Sequence, residues 1–164
     1  MKRLVTSLRG TFVAFVLLAA LAGPSWALSA AEVENVVAVL KAIGPEIGDL
    51  AYDETAADDW FEEDEAGEGR IAAAGFTAQS WRMAVDATMK GFYAALPQRE
   101  IDAAFEGADA FETRADFSAE QKEAMRQLVS KWRVRMYEWR DEGADDAATV
   151  EPYVNDIRVL LDVR

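Results

Sequence analysis

Apolar residues recur along most of this chain at steps of three and four, and that spacing constrains the fold more than any other feature of the sequence. The first series consists of Val33, Val36, Leu40, Ile43, Ile47 and Leu50. Steps of three and four place residues on one face of a helix, whereas a half-buried strand alternates with a period of two. Gly44-Pro45 interrupts the sequence without breaking the series. Because proline lacks a backbone donor, we expect a kink or a short break there.

Four later stretches repeat the helical spacing, and none of the sequence alternates as a half-buried strand would. They are residues 81–95, 101–111, 125–139 and 153–161. We therefore predict an all-α protein, an up-and-down bundle of five or six helices with the first helix kinked at Pro45. The large apolar side chains of the middle stretches are expected to form the core. They are Trp81, Phe92, Trp132, Met136 and Trp139.

Short motifs mark the expected ends of the helices. Ser29 with Glu32, and Ser118 with Gln121, have the form of capping boxes, and Thr77 is a further candidate cap. Glycine and proline supply the other boundaries. These are a linker from Gly67 through Gly75, a turn at Pro97, a stop at Gly143, and a last helix capped by Thr149 with Pro152 in its first turn.

The first 27 residues have the layout of a signal peptide. Three basic residues precede an apolar run over residues 11–22, and small residues occupy Ser25 and Ala27. We predict cleavage after Ala27; the alternatives are cleavage after Ala30 and retention as a membrane anchor. Residues 28–164 would then form a single helical domain, with an acidic segment at 53–68, in the periplasm or secreted.

Composition excludes several classes of chemistry. The chain has no His and no Cys. It therefore has no imidazole base, thiol nucleophile or disulfide, and no zinc or haem site with His or Cys ligands. We expect no cofactor and no enzymatic activity. The net charge of −13 disfavours binding to nucleic acid and favours a cationic protein partner. Once the leader is removed, it also disfavours binding to a membrane surface.

The acidic segment carries the first group of candidate site residues. Asp58 with Glu62, and Asp59 with Glu63, are spaced to form carboxylate pairs on a helix that could hold a hard cation. Trp60 and Phe61 lie between them and could anchor a protein partner while the carboxylates steer it. The alternative is an ordinary solvated acidic surface, since like charges at this spacing destabilise a helix.

The predicted helix over residues 119–142 carries the second group. Arg126, Arg133 and Arg140 are seven residues apart and lie close to one face. They could bind an anion or a partner protein, or they could pair with the acidic third of this chain. An ordinary charged surface is the simplest alternative, because acidic residues lie among them.

One short motif resembles that of a known group of proteins. The run Phe117-Ser118-Ala119-Glu120-Gln121 resembles the Leu-Thr-x-x-Gln signature of small periplasmic helical chaperones, and Phe76-Thr77-Ala78-Gln79-Ser80 resembles it less closely. The resemblance covers about ten residues and implies a stress-induced helical dimer that holds unfolded clients. This chain departs from that group in its strong acidity.

The function predicted from these features is that of an exported, non-enzymatic helical module that binds a protein partner. The alternatives are a periplasmic stress chaperone and a divalent-cation-binding protein. A cell-wall hydrolase would need two carboxylates in one cleft, one of them with a raised pKa. Nothing in the sequence singles out such a pair among the 30 acidic residues.

Overall fold

The computed structural model describes residues 28–48 and 50–161, and the regular secondary structure of these residues is entirely helical. The helices are α1 (Ala30–Ile47), α2 (Ala56–Ala66), α3 (Arg70–Ala73), α4 (Ala78–Ala95), α5 (Gln98–Asp109), α6 (Ala119–Glu142), α7 (Ala147–Val150) and α8 (Val154–Leu160), with 3-10 turns at Ala110–Thr113 and Glu151–Tyr153. These described residues contain no strand, which confirms the all-α prediction. Six helices have seven residues or more, and two four-residue helices add to the predicted number.

The predicted signal peptide, residues 1–27, lies outside the described residues. Within the described ranges, no helix combines the length and the hydropathy that a membrane span requires.

The predicted capping motifs begin the three longest helices. Ser29, Thr77 and Ser118 each accept a hydrogen bond from the backbone N–H three residues later, and the side chain at that later position bonds back. Each box satisfies two donors that the first turn would otherwise leave unpaired. Local sequence therefore determines where these helices start.

Two predicted boundaries are wrong. The stretch expected to be a linker contains helix α3, which follows Gly69, a glycine in the left-handed conformation (φ 67°). Thr149 does not cap the last helix, because it lies inside α7, and α8 begins only after the 3-10 turn that holds Pro152.

Pro45 lies in the last turn of α1 and does not break it. The helix continues to Ile47 and ends at Gly48, whose φ of 86° suits a residue without Cβ. Leu50, the last member of the first apolar series, lies beyond the helix but is still buried. The predicted short break is therefore replaced by a helix end two residues after the proline.

Helix α4 is the centre of the core and packs against α1, α2, α6 and α7. Four residues at steps of four, four and three along it are fully buried: Trp81, Val85, Met89 and Phe92. This confirms the predicted core positions of Trp81 and Phe92. The close approach of α6 to α4 depends on Gly143, since a Cβ there would lie 2.2 Å from the carbonyl carbon of Lys90.

The apolar face of α6 differs from the prediction. Trp139 and Val129 are buried, but Trp132 is 47% exposed, Leu128 is 50% exposed and Met136 is only half-buried. The prediction that Trp132 belongs to the core is therefore wrong. Helix α6 packs against α4, α5 and the 3-10 turn that follows α5, and part of its apolar face is left uncovered.

Candidate functional site

The four acidic residues proposed as metal ligands do not converge. Asp58 pairs with Arg82 at 3.1 Å, and Asp59 accepts a hydrogen bond from the hydroxyl of Thr55 at 3.3 Å. Glu62 and Glu63 are exposed on the outer side of α2. Within residues 28–48 and 50–161, no three acidic side chains lie close enough together to hold a metal ion. The geometry therefore gives the predicted metal site no support.

The two aromatic residues of the acidic segment belong to the interior. Trp60 is 4% exposed and is part of the core, and Phe61 is partly buried against the same core. Their side chains hold α2 on the protein and are not presented to a partner, so the geometry does not support them as docking anchors. The carboxylates around them form a solvated surface.

The three arginines of α6 are engaged within the chain. Arg126 bonds the carboxylate of Glu112 at 2.7 Å, and Arg133 bonds Asp109 at 2.8 Å. Arg140 donates to two backbone carbonyls at the end of α4, including that of Leu96 at 2.9 Å. These partners come from α5, the turn after it and α4; of the other bases on α6, Arg135 pairs with Glu54 of the acidic segment, as the internal-pairing alternative predicted. The arginines therefore brace the α5–α6 pair and cap α4.

Sequence reasoning missed Asp64, whose carboxylate is buried. Its two oxygens accept hydrogen bonds from the backbone N–H groups of Arg70 at 3.0 Å and Ile71 at 2.8 Å. The carboxylate pairs two N–H groups that the first turn of α3 would otherwise leave without a partner, and it therefore favours a helix over a linker here. Nine acidic residues crowd residues 53–68, and no signal in the sequence distinguishes this one.

An interhelical cleft of about 660 Å³ lies between α4, α5, α6 and α8. Its size is in the range of small-ligand and side-chain pockets. The lining residues are Ala51, Tyr52, Phe92, Tyr93, Leu96, Glu100, Ile101, Ala103, Ala104, Trp132, Met136, Arg158 and Leu161. Most of them are apolar, so the cleft favours apolar groups.

Aromatic side chains build one wall of the cleft. The rings of Tyr93 and Trp139 stack at 5.4 Å with an interplanar angle of 18°, and the ring of Tyr52 lies 5.0 Å from that of Trp139. The hydroxyl of Tyr52 donates to Asp86, which also bonds Lys90 at 2.6 Å. Burial raises the pKa of Tyr93 to about 12, and burial, with the hydrogen bond to Asp86, raises the pKa of Tyr52 well above its usual range. The two tyrosines of this wall therefore stay uncharged to well above neutral pH.

One ion pair supplies the charge in the cleft. Arg158 of α8 bonds Glu100 of α5 through Nη2 at 2.5 Å. The pair ties two helices together and leaves the cleft without net charge. The only carboxylate lining the cleft, among the described residues, is thus held by a guanidinium group and has no second carboxylate beside it.

Trp132 lies where the cleft meets a second, smaller hollow of about 350 Å³. That hollow is lined by Asp53, Glu54, Lys131, Trp132, Arg135 and Trp139. Trp132 therefore forms an exposed apolar ridge between the two concavities, and Leu128 continues that ridge one turn earlier on α6. We call Trp132 and Leu128 the α6 ridge.

No protein-family model matches this chain, and neither does any curated protein or solved structure.

Proposed function

We propose that this protein is an exported, non-catalytic binding module, and that the interhelical cleft and the α6 ridge together receive apolar side chains of a protein partner. The observation that carries the proposal is the half-exposed indole of Trp132 at the edge of an apolar cleft of about 660 Å³. Large exposed aromatic residues beside apolar clefts are typical anchors of protein interfaces.

The charge distribution favours a basic partner. The chain carries a net charge of −13, and Arg126, Arg133 and Arg140 are committed to contacts within the chain. Exposed carboxylates such as Glu62 and Glu63 have no cationic partner among the described residues. The surface field therefore attracts cations and speeds their association.

The chemistry of the cleft supports a binding role over a hydrolytic one. A hydrolase of the predicted kind needs two neighbouring carboxylates, one of them protonated at neutral pH. Glu100 is the only carboxylate of the cleft within the described ranges, and Arg158 neutralises it. Binding without covalent chemistry requires only the apolar walls.

Two synthetic amphipathic helices of opposite charge test the proposal, one built from leucine and lysine and the other from leucine and glutamate. We expect fluorescence polarisation to show binding of the basic peptide, and much weaker binding of the acidic peptide. Trp132→Ala and Leu128→Ala should each weaken binding about tenfold, as truncation of an interface anchor does.

Val159→Ala is the matched control, because Val159 is an apolar residue of α8 that is 81% exposed and does not line the cleft. Binding that is unchanged in both α6 variants would contradict the proposal. Equal binding of the two peptides would contradict its electrostatic part.

The chaperone alternative uses the same surface and is distinguished by the kind of ligand. The exposed α6 ridge is the observation in its favour, together with the resemblance of residues 117–121 to periplasmic chaperones. Suppression of the thermal aggregation of a model enzyme, lost in Trp132→Ala and kept in Val159→Ala, would support it. A specific partner module would bind the basic helix and leave aggregation unchanged.

A further inference from the structure

The smaller hollow beside the α6 ridge combines indole rings with charged side chains. It has a volume of about 350 Å³, and we call it the indole hollow. Its lining residues are Asp53, Glu54, Lys131, Trp132, Arg135 and Trp139. Because acids and bases are equal in number here, what the hollow can bind depends on which of them are already paired within the chain.

A cation of the chain itself already occupies part of the indole hollow. The guanidinium carbon of Arg135 lies 5.5 Å from the centroid of the Trp139 ring. The same guanidinium pairs with Glu54 and bonds Glu138 at 2.8 Å. A cation over an indole, with a carboxylate beside it, is a favourable arrangement. Trp139 is only 3% exposed, so this indole and its carboxylate have their cation.

The second indole of the hollow has no such partner. Trp132 meets Trp139 edge-on, with ring centroids 6.3 Å apart and an interplanar angle of 85°, and it is 47% exposed. In the described part of the chain every cation–π contact is made by an arginine, and none involves Trp132. Aromatic surface of Trp132 is therefore available to a cation from outside the chain.

The carboxylate of Asp53 is held in place through one of its two oxygens. Oδ1 accepts hydrogen bonds from the backbone N–H of Thr55 at 2.8 Å, from the hydroxyl of Thr55 at 2.9 Å and from the backbone N–H of Ala56 at 2.9 Å. The bonds from Thr55 hold the pKa of Asp53 below its usual range, so the group is charged at neutral pH. Among the residues that the structure describes, none donates to Oδ2 or forms an ion pair with Asp53. Oδ2 is thus a positioned anionic acceptor in the lining of the hollow.

Lys131 is the remaining cation of the hollow and does not stand over Trp132. Within residues 28–48 and 50–161 it forms no ion pair and makes no cation–π contact. Its exposed side chain also borders a shallow depression towards the start of α6, beside Gln127 and Ser130. Consecutive residues of a helix do not face each other, so Lys131 flanks Trp132 without covering it.

We propose that the indole hollow receives an arginine side chain of the partner, with its guanidinium against Trp132 and bonded to Oδ2 of Asp53. The inference deepens the proposed function and rests on it, because the α6 ridge anchors an apolar residue of the partner and the hollow binds a basic residue near it. Arginine suits the hollow better than lysine, since its planar, weakly hydrated guanidinium stacks on an indole while its forked donors bond a carboxylate. The arrangement repeats the one that Arg135 makes with its own indole and carboxylate. Asp53 is therefore the residue that determines this specificity.

A third synthetic helix, built from leucine and arginine, tests the inference against the leucine–lysine helix. Fluorescence polarisation gives the ratio of the two dissociation constants for each protein variant. We expect the parent to bind the arginine helix about fivefold more tightly, and this preference to fall below about twofold in Asp53→Asn and in Trp132→Leu. Asparagine keeps the Oδ1 acceptor of the turn without the charge, and leucine keeps an apolar anchor on the ridge without a ring.

Glu62→Gln is the matched control, because it removes the same charge from an exposed acid of α2 that does not line the hollow. This variant should keep the preference of the parent. An unchanged preference in Asp53→Asn or in Trp132→Leu would overturn the inference but not the proposed function, which is judged by the loss of lysine-helix binding in Trp132→Ala. Absence of binding by both basic helices would overturn the two together.

Lys131→Ala tests the opposite possibility, in which the basic residues of the hollow bind an anion. Removal of this cation should leave binding of the arginine helix unchanged or make it tighter, because a competing positive charge is lost. Weaker binding of the arginine helix to this variant would overturn the inference. The substituted residues are all exposed, so these comparisons do not depend on a change in the core.

Discussion

Replacing Gly143 by alanine would place a methyl group against the backbone of the neighbouring helix. A Cβ at this position would lie 2.2 Å from the carbonyl carbon of Lys90 and 2.6 Å from the backbone nitrogen of Gly91. Ordinary contacts of this type begin at 3.4 Å, so α6 and α4 would have to separate by about 1.2 Å. The φ of −91° at Gly143 is accessible to alanine, so any loss of stability comes from this contact and not from the backbone conformation.

The loss of stability depends on which atoms must move to make room for the methyl group. Overpacking that side chains can absorb costs about 1–3 kcal/mol, and here the obstacle is main chain at the centre of the core. We therefore expect Gly143→Ala to lower the free energy of unfolding by about 3 kcal/mol and Tm by roughly 10 °C. Circular dichroism during urea and thermal unfolding measures both quantities.

Gly107→Ala is the matched control. Gly107 lies inside α5, and a Cβ there would meet no atom within 4 Å. The same substitution should stabilise the protein by up to about 1 kcal/mol, because alanine favours a helix interior. If Gly143→Ala left stability within about 0.5 kcal/mol of the parent while Gly107→Ala stabilised it, the packing argument would be refuted.

Three further predictions concern polar groups. In a urea titration, Asp64→Ala should lower the free energy of unfolding by about 1–3 kcal/mol, because two backbone donors of α3 lose their buried acceptor. Asp59→Ala is the control, because Asp59 is an exposed acidic residue of α2, the helix that also holds Asp64; this variant should change the free energy of unfolding by less than about 0.5 kcal/mol. Arg140→Met should cost a similar 1–3 kcal/mol by leaving the end of α4 without donors, and an unchanged Tm would argue against this cap. The free energy of unfolding should fall as pH rises above about 10, because tyrosines of the unfolded chain ionise there while Tyr93 stays neutral until about 12. Absorbance at 295 nm should show Tyr93 and Tyr52 ionising at higher pH than an exposed tyrosine. Titration of all tyrosines at the usual pH would contradict the burial of these two.

The candidate site was only partly predictable. The sequence directs attention to Trp132 and to the arginines of α6, but it predicts the tryptophan as core and leaves the arginine partners open. In the structure Trp132 is 47% exposed, and α4 meets α6 near the C-terminal end of α6, where Gly143 approaches Lys90. The spacing of side chains within one helix carries no information about where the neighbouring helix ends.

What the sequence determined by itself is local. The all-α character and the starts of the three longest helices follow from apolar spacing and from caps that act within three or four residues, at Ser29, Thr77 and Ser118. The tertiary structure decided which carboxylate is buried, which glycine lets two helices touch, and which apolar residue is left in solvent. Those outcomes depend on groups far apart in the chain, such as Gly143 and Lys90, whose meeting depends on the packing of whole helices.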